Sequence, residues 1–115
     1  MRPLELLQTH SLLYKNATLL QVVGELDMAT APLVDQAVAA CLAEQPQHVY
    51  LDLSRLEFCD RTGLGALLRA RHRARAQGAM VHLISIHRQL RRSLAALGGT
   101  DLLAPPRPDG PAVLL

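Results

Sequence analysis

Residues 49–68 read VYLDLSRLEFCDRTGLGALL, and this stretch indicates a strand, a polar loop and the start of a helix. Its first five residues place three aliphatic side chains on one face of an extended chain and Tyr50 and Asp52 on the other, which is the period-2 pattern of a strand. Asp60 and Thr62 follow the loop, and Gly-Leu-Gly then opens the helix. Glycines in a first turn let other groups approach closely, and the unpaired N–H groups there can hold an anion. The stretch therefore predicts a binding site where the loop leads into the helix.

Three more strands are predicted from apolar and β-branched runs, and three helices from apolar residues at helical spacing. The additional strands are Leu4–Thr9, Thr18–Val23, which ends at Gly24, and Met80–Ser85. The helices run from an N-cap at Thr30 to Glu44, from about Thr62 to Gln77, and from Ser85 or Ile86 to the Gly98-Gly99 pair. In the third helix we expect Leu90, Leu94 and Leu97 to be buried and the arginines at 88, 91 and 92 to point outward.

This order of elements predicts an α/β domain with a mixed sheet of four or five strands and helices packed mainly on one face. Strands that alternate with helices pair in parallel through right-handed crossovers, whereas the first two strands are close enough in sequence to be antiparallel. We expect one domain over residues 1–104. Residues 105–115 hold four of the seven prolines and are predicted to form an extended tail.

Composition excludes several classes of protein. Of the 115 residues, 50% are hydrophobic and 19% charged, which excludes a disordered chain. Only 3% are aromatic, too few for a platform on which single-stranded nucleic acid stacks. The two cysteines lack metal-ligand spacing, and no apolar run is long enough to span a membrane. We expect a soluble cytoplasmic protein with reduced cysteines.

Charge divides the chain into an acidic first half and a basic middle. Residues 1–54 carry two basic and six acidic residues, whereas residues 55–92 carry nine arginines and two acidic residues. The run RARHRAR, from Arg69 to Arg75, falls on the second helix. Two interpretations fit this run. It could form a surface that binds nucleic acid, or a solvated helix face whose positive charge balances the acidic first half of the chain. The formal net charge of only +2 and the absence of a recognised nucleic-acid-binding module favour the solvated face, so we expect no direct nucleic-acid binding.

No catalytic template fits the sequence. The phosphate-binding, dinucleotide-binding and nucleophile-elbow motifs are absent, and the five histidines have no metal-ligand spacing. Glu25, Asp27 and Asp60 follow predicted strand ends, where an acid–base pair is conceivable. The interpretation we favour is that Asp27 and Asp60 cap turns and helices. We therefore expect no enzyme activity, no catalytic residue, no metal and no cofactor.

Three blocks of the sequence resemble the STAS domain, and within it the small bacterial anti-sigma factor antagonists. Residues 24–27, GELD, are similar to a turn of that family, and residues 51–65 are similar to its strand and switch loop, usually D-S-[ST]-G-L-G. Residues 86–103 are similar to its third helix and closing segment. The resemblance covers residues 4 to 104. By it, the partner-binding residues are Gly24, Glu25, Asp27, Asp60, Arg61, Thr62, Gly63 and Leu64.

The resemblance implies a regulator of transcription that works by partner switching. In that family the antagonist binds an anti-sigma factor that is also an ATPase-type serine kinase, and so frees a sigma factor. The kinase phosphorylates a serine in the switch loop, which breaks the complex, and a PP2C-type phosphatase restores the antagonist. Other relatives assemble with STAS proteins into stress-sensing scaffolds or form cytoplasmic parts of anion transporters. A scaffold, or a module that binds a nucleotide or anion, is the alternative function for this chain.

One departure from the family pattern affects the expected switch. The family's phosphorylated serine falls on Arg61, and Thr62 is the hydroxyl that remains in the loop. Thr62 is therefore a candidate phosphorylation site, with a purely structural role as helix cap as the interpretation we favour.

Overall fold

The structure, a computed structural model, describes residues 6–103 and contains one mixed five-stranded sheet. Strand β1 is antiparallel to β2, as predicted, and the remaining pairs are parallel. Strands β3 and β4 pair with successive parts of the same edge of β2, and β5 pairs with β3. The strands are β1 Leu7–Tyr14, β2 Ala17–Leu26, β3 His48–Asp52, β4 Leu56–Cys59 and β5 Met80–Ile84. The predicted α/β fold with a mixed sheet is confirmed.

Three helices and a final 3-10 helix complete the described part of the chain: α1 Ala31–Ala43, α2 Arg61–Ala76, α3 Arg88–Ala96 and the 3-10 helix Thr100–Leu103. Helices α1 and α2 pack against each other and onto the sheet. The third helix begins later than predicted, because Ser85 has a positive φ of 58° and His87 is still extended. The predicted tail at 105–115 lies outside the described residues.

The core lies between the sheet and helices α1 and α2. Leu20, Leu51 and Leu83 occupy one register row across β2, β3 and β5, and all three belong to the hydrophobic core. On the opposite face of β3, Tyr50 is also fully buried, and its ring stacks on His82 with centroids 4.8 Å apart. Both faces of β3 are therefore buried, in keeping with its central position.

Two of the predicted strands have different bounds in the structure. Strand β1 covers residues 7–14 instead of 4–9, because it follows its pairing with β2 up to the turn. Strand β2 does not end at Gly24 but continues to Leu26 through a shift in register. Gly24 has a φ of 111°, and a Cβ there would lie 2.0 Å from the Leu6 carbonyl oxygen. Glycine thus lets the strand bend under Leu6 and continue.

Strand β4 was expected to be a polar loop. Leu56, Glu57 and Phe58 alternate apolar and polar, but the segment has only four residues, and of these only Leu56 is buried. The segment is extended because it pairs with the end of β2, which Gly24 allows to run past β3. This extra strand sets the position of Asp60 and of the start of α2.

Candidate functional site

The predicted partner-binding residues lie where β2 and β4 end side by side. Leu26 pairs with Cys59, and the Asp60 amide donates to the Leu26 carbonyl oxygen at 3.1 Å. The turn after β2 and the first turn of α2 are thereby joined at one end of the sheet. In open α/β sheets, ligands and partners bind at such carboxyl ends of strands.

Asp60 is the N-cap of α2. Its Oδ1 accepts a hydrogen bond from the Gly63 amide at 2.8 Å, and its carbonyl oxygen accepts one from the Leu64 amide at 2.9 Å. Thr62 lies in the first turn and does not cap the helix, so the expectation that Thr62 is the cap is wrong. The carboxylate also places a negative charge at the positive end of the helix dipole, which is the position that we assigned to a bound anion.

Gly63 allows α2 to approach the end of β2. A Cβ at this position would lie 2.5 Å from the Leu26 carbonyl oxygen and 2.7 Å from Leu26 Cγ, so a larger residue would force the two elements apart. Gly65 has no comparable role, because its nearest neighbour is the flexible end of Arg69 at 3.4 Å. The expected close approach is therefore confirmed at Gly63 and wrong at Gly65.

The end of β2 and the turn that follows it, the acidic turn of residues 27–30, each contain one carboxylate, and the two have different surroundings. Asp27 Oδ1 accepts hydrogen bonds from the amides of Ala29 at 3.0 Å and Thr30 at 3.1 Å. The Thr30 hydroxyl, which is buried, accepts from the Asp27 amide and donates to the Glu25 carbonyl oxygen at 2.7 Å. Asp27 therefore holds the turn, which confirms its capping role. Glu25 belongs to β2, next to Phe58 of β4, and does not lie on a loop as expected.

Two exposed apolar side chains, which the sequence analysis did not identify, lie on the elements next to Arg61 and Thr62. Met28 is 74% exposed in the acidic turn, and Phe58 is 51% exposed on β4. Arg61 and Thr62 are also exposed, and neither side chain forms a hydrogen bond or ion pair within residues 6–103. A large apolar residue inside a polar turn is the sequence signal that could have identified Met28.

A groove of about 750 Å³ runs between β4, the start of α2 and α3. Its apolar lining is formed by Leu56, Phe58, Leu64, Leu90 and Leu97. Leu97 was expected to be buried, but it is 51% exposed because it lies beyond the last turn of α3 and faces this groove. Arg61 and His87 supply polar groups at its border.

Cys59 also lines the groove, with an unreactive thiol. Burial, and to a lesser extent the nearby Asp60 carboxylate, which disfavours a second negative charge, together raise the pKa of Cys59 to about 11. Burial likewise raises the pKa of Cys41. A cysteine nucleophile needs a lowered pKa, so neither thiol suits that chemistry.

The arginines of the run on α2 form hydrogen bonds to other parts of the protein. Arg69 forms two hydrogen bonds to the Asp35 carboxylate of α1, at 3.2 and 3.1 Å, and Arg73 donates to the Asp35 carbonyl oxygen. Asp101 in the 3-10 helix accepts from Arg71 at 2.6 Å and from Arg75. The face is thus not simply solvated, since these arginines join α2 to two neighbouring elements, one of them in the acidic half.

The remaining chemistry-bearing residues form no metal site in the part of the chain described here. No group of three or more histidine, cysteine, aspartate or glutamate residues within 6–103 could hold a metal ion. His48 Nδ1 and His82 Nε2 lie 3.1 Å apart, so these two rings contact each other. None of the helices between residues 6 and 103 has the length and apolar character needed to cross a membrane.

Comparisons with known proteins agree with this geometry. The sequence profile of the STAS domain matches residues 11–109. An anti-sigma factor antagonist from Mycobacterium paratuberculosis is 27% identical over 80% of this chain and 78% of its own, with a TM-score of 0.69. The phosphorylated Bacillus cell fate determinant SpoIIAA is 17% identical over 81% of this chain and 84% of its own, with a TM-score of 0.65, and so supports the fold alone.

The same fold also occurs inside a transporter. The murine anion transporter Slc26a9 is 21% identical over 72% of this chain but only 14% of its own length, with a TM-score of 0.64. No curated protein matches the sequence. The profile covers most of the chain, and the structural neighbours include anti-sigma factor antagonists. The chain belongs to the STAS domain family and is similar to its anti-sigma factor antagonists.

Proposed function

We propose that this protein is an anti-sigma factor antagonist that regulates transcription by binding an ATPase-type anti-sigma factor kinase. It acts by binding, without enzyme activity of its own, in the cytoplasm. The observation that carries the proposal is the exposed surface at the paired ends of β2 and β4, where Met28, Phe58, Arg61 and Thr62 are open to solvent. Exposed apolar side chains with polar neighbours are typical of a protein interface.

The binding surface comprises the end of β2, the start of α2 and the exposed part of α2. Gly24, Asp27, Asp60 and Gly63 build this surface from within, through the glycine bend, the turn, the helix cap and the close approach to Leu26. Leu64 is buried and also supports the surface from within, whereas Glu25, Arg61 and Thr62 contribute contacts to the partner. Glu25 affects mainly the association rate and its salt dependence, because charges at the border of an interface steer the encounter.

Arg61 disables the serine switch in this proposal. Its side chain has no hydroxyl, and its positive charge is opposite to that of a phosphoserine, which carries about −1.5 to −2. Arg61 forms no ion pair with Asp60, whose carboxylate caps α2, so the guanidinium is free to contact the partner. The protein therefore stays in its partner-binding form, and a PP2C-type phosphatase has no serine to act on.

Titration calorimetry with a purified ATPase-type anti-sigma factor from the same organism tests the binding surface. We expect Arg61→Glu to weaken binding by about tenfold or more, as for an interface residue of large effect. Arg91→Glu is the matched control, because Arg91 is exposed on α3 and does not line the groove. Equal effects of both variants, or no binding by the unmodified protein to any such factor, would contradict the proposal.

Incubation with the same kinase and Mg-ATP tests the lost switch. We expect no phosphate on the unmodified protein and phosphate on residue 61 of Arg61→Ser, mapped by mass spectrometry. Stoichiometric phosphate on Thr62 that abolishes binding would instead show that the neighbouring hydroxyl has taken over the switch.

The groove beside α3 favours a second candidate function, a module that binds a small ligand or another STAS protein. Its volume of about 750 Å³ lies within the range of ligand pockets, roughly 300–1,000 Å³, and its lining combines apolar side chains with Arg61 and His87. Asp60 already neutralises the start of α2, which argues against an anion at the helix end itself. Binding of nucleotides measured by calorimetry, with loss in Leu97→Glu, would support this alternative over the kinase partner.

A further inference from the structure

Strand β1 forms an open edge of the sheet. All eight of its residues pair with β2 in an unbroken antiparallel register, from Leu7 opposite Gly24 to Tyr14 opposite Ala17. Within residues 6–103 no other strand pairs with β1, and no backbone hydrogen bond joins it to another element. The residues from His10 to Tyr14 are all exposed. Backbone amides and carbonyls on the outer side of β1 are thus available to a further strand.

This edge lacks the features by which natural sheets prevent pairing between molecules. Exposed edge strands usually carry lysine, proline, inward-pointing charge or a bulge, or they are very short. Residues 7–14, LQTHSLLY, contain no lysine, proline, aspartate or glutamate, and their register with β2 has no bulge. At the opposite end of the sheet, the 3-10 helix packs against β5. Among the described strands β4 also pairs with a single neighbour, but it has only four residues, so β1 is the long open edge.

The open edge also presents apolar side chains on both faces of the sheet. Leu12 and Leu13 are each 52% exposed and, as neighbours in a strand, point to opposite faces. Tyr14 is exposed as well, on the same face as Leu12. A strand added to β1 would cover apolar surface on both sides in addition to pairing the backbone.

We propose that β1 pairs in antiparallel fashion with β1 of a second copy of this chain, joining two five-stranded sheets into one. A two-fold axis places β1 of one copy beside β1 of the other, running in the opposite direction. In this arrangement the outward-facing amides of each strand lie opposite the outward-facing carbonyl oxygens of the other. Like charges that face each other across such an axis repel. Because β1 has no lysine, arginine or carboxylate, no register of self-pairing is penalised in this way.

The association closes at two copies. Pairing about a two-fold axis uses the same edge, that of β1, in both copies, so this edge is no longer open to a third copy. This inference does not rest on the proposed function, because β1 pairs with one edge of β2, whereas β4, which leads to Asp60, pairs with the other. The dimer therefore leaves the candidate binding surface accessible, so either proposal can fail without the other.

Sedimentation equilibrium over a range of concentrations tests the dimer. We expect the apparent mass of the unmodified protein to approach twice that of one chain as its concentration rises. The double variant Ser11→Lys, Leu13→Lys should have a dimer dissociation constant about tenfold higher or more, because edge lysines oppose strand pairing. The matched control is Ala39→Lys, Ala43→Lys, which adds the same charge to exposed positions of α1. A monomer at all concentrations, or a dimer that both variants weaken equally or neither weakens, would overturn the proposal.

Hydrogen exchange on the unmodified protein gives a second measurement that does not depend on the folding of a variant. We expect the amides of residues 8–14 to gain protection as protein concentration increases, while those of α1 do not change. Concentration-dependent protection confined to other segments, or protection of 8–14 only after a different protein is added, would show that a second copy does not occupy this edge.

Discussion

The Gly63 amide donates a hydrogen bond of 2.8 Å to Asp60 Oδ1, and this bond makes the last residue of the switch loop the cap of α2. Arg61 and Thr62 lie between them, and the first of these two positions, normally a serine in the family's pattern, is therefore free to vary without loss of the cap. Arg61 can occupy that position because Asp60 satisfies the helix end.

The first prediction concerns this cap. We expect Asp60→Ala to lower the free energy of unfolding by about 1 kcal/mol, since the Gly63 amide loses its acceptor. Asp60→Asn keeps an acceptor oxygen and should lose much less. Urea unfolding followed by circular dichroism measures both, with Thr62→Ala as control. A larger loss in Thr62→Ala than in Asp60→Ala would show that the cap has been misassigned.

The second prediction uses the two glycines of the first turn of α2. Gly63→Ala should lower the free energy of unfolding by roughly 1–3 kcal/mol, because the new methyl group would overlap the Leu26 carbonyl oxygen. Gly65→Ala should raise it by about 0.5–1 kcal/mol, because its new methyl group meets only a flexible Arg69 side chain and alanine favours the helix. Thermal or urea unfolding of both variants measures whether the free energy of unfolding falls in Gly63→Ala and rises in Gly65→Ala. Equal signs would contradict the close approach of α2 to β2.

The third prediction separates the role of Glu25, at the end of β2, from that of Asp27 in the acidic turn. Asp27→Ala should lower the free energy of unfolding by about 1–2 kcal/mol, since the amides of Ala29 and Thr30 lose a shared acceptor. Glu25→Ala, with no side-chain hydrogen bond in the described structure, should change it by less than about 0.5 kcal/mol. Charge reversal at Glu25 is therefore the appropriate test of partner binding, and charge reversal at Asp27 is not, because it would also alter the fold.

The fourth prediction concerns the pH dependence of the Cys59 thiol. Its pKa is raised from 9.0 to about 11 by burial and by Asp60. At pH 8 the folded protein should therefore react with iodoacetamide at Cys59 about 100-fold more slowly than the urea-unfolded chain, since the thiolate is the nucleophile. Mass spectrometry of the labelled peptide measures this rate, and Asp60→Asn should increase it in the folded protein.

The sign of the matching stability effect follows from the same pKa. A folded-state pKa above the unfolded value favours the folded state while the thiol is protonated, which is the case below about pH 9. This contribution is lost as pH rises from about 9 to about 11. Cys59→Ala should remove this part of the fall in unfolding free energy at high pH. If the unfolding free energy of the variant has the same pH dependence as that of the unmodified protein, the raised pKa is contradicted.

The sequence by itself determined the elements whose signals are local. Period-2 alternation predicted β3, and apolar residues at helical spacing predicted α1 and α2 to end at Glu44 and Gln77, each one residue beyond the observed end. The GELD and D-x-T-G-L-G blocks were enough to identify the STAS family. These features depend on residues within a few positions of one another, so they can be read without knowledge of the rest of the chain.

Only the tertiary structure decided the features that depend on distant partners. Strand β4 has only four residues, too few for its alternation to predict a strand, and it is extended because Gly24 lets β2 continue and pair with it. The arginines of α2 appeared to form a solvated face until the fold placed Asp35, 34 residues earlier in the chain than Arg69, within hydrogen-bond distance. In the same way, Asp60 rather than Thr62 caps α2, since the geometry at Leu26 fixes which residue enters the helix first. Local sequence sets what each segment can form, and long-range contacts select which of those possibilities is lowest in free energy.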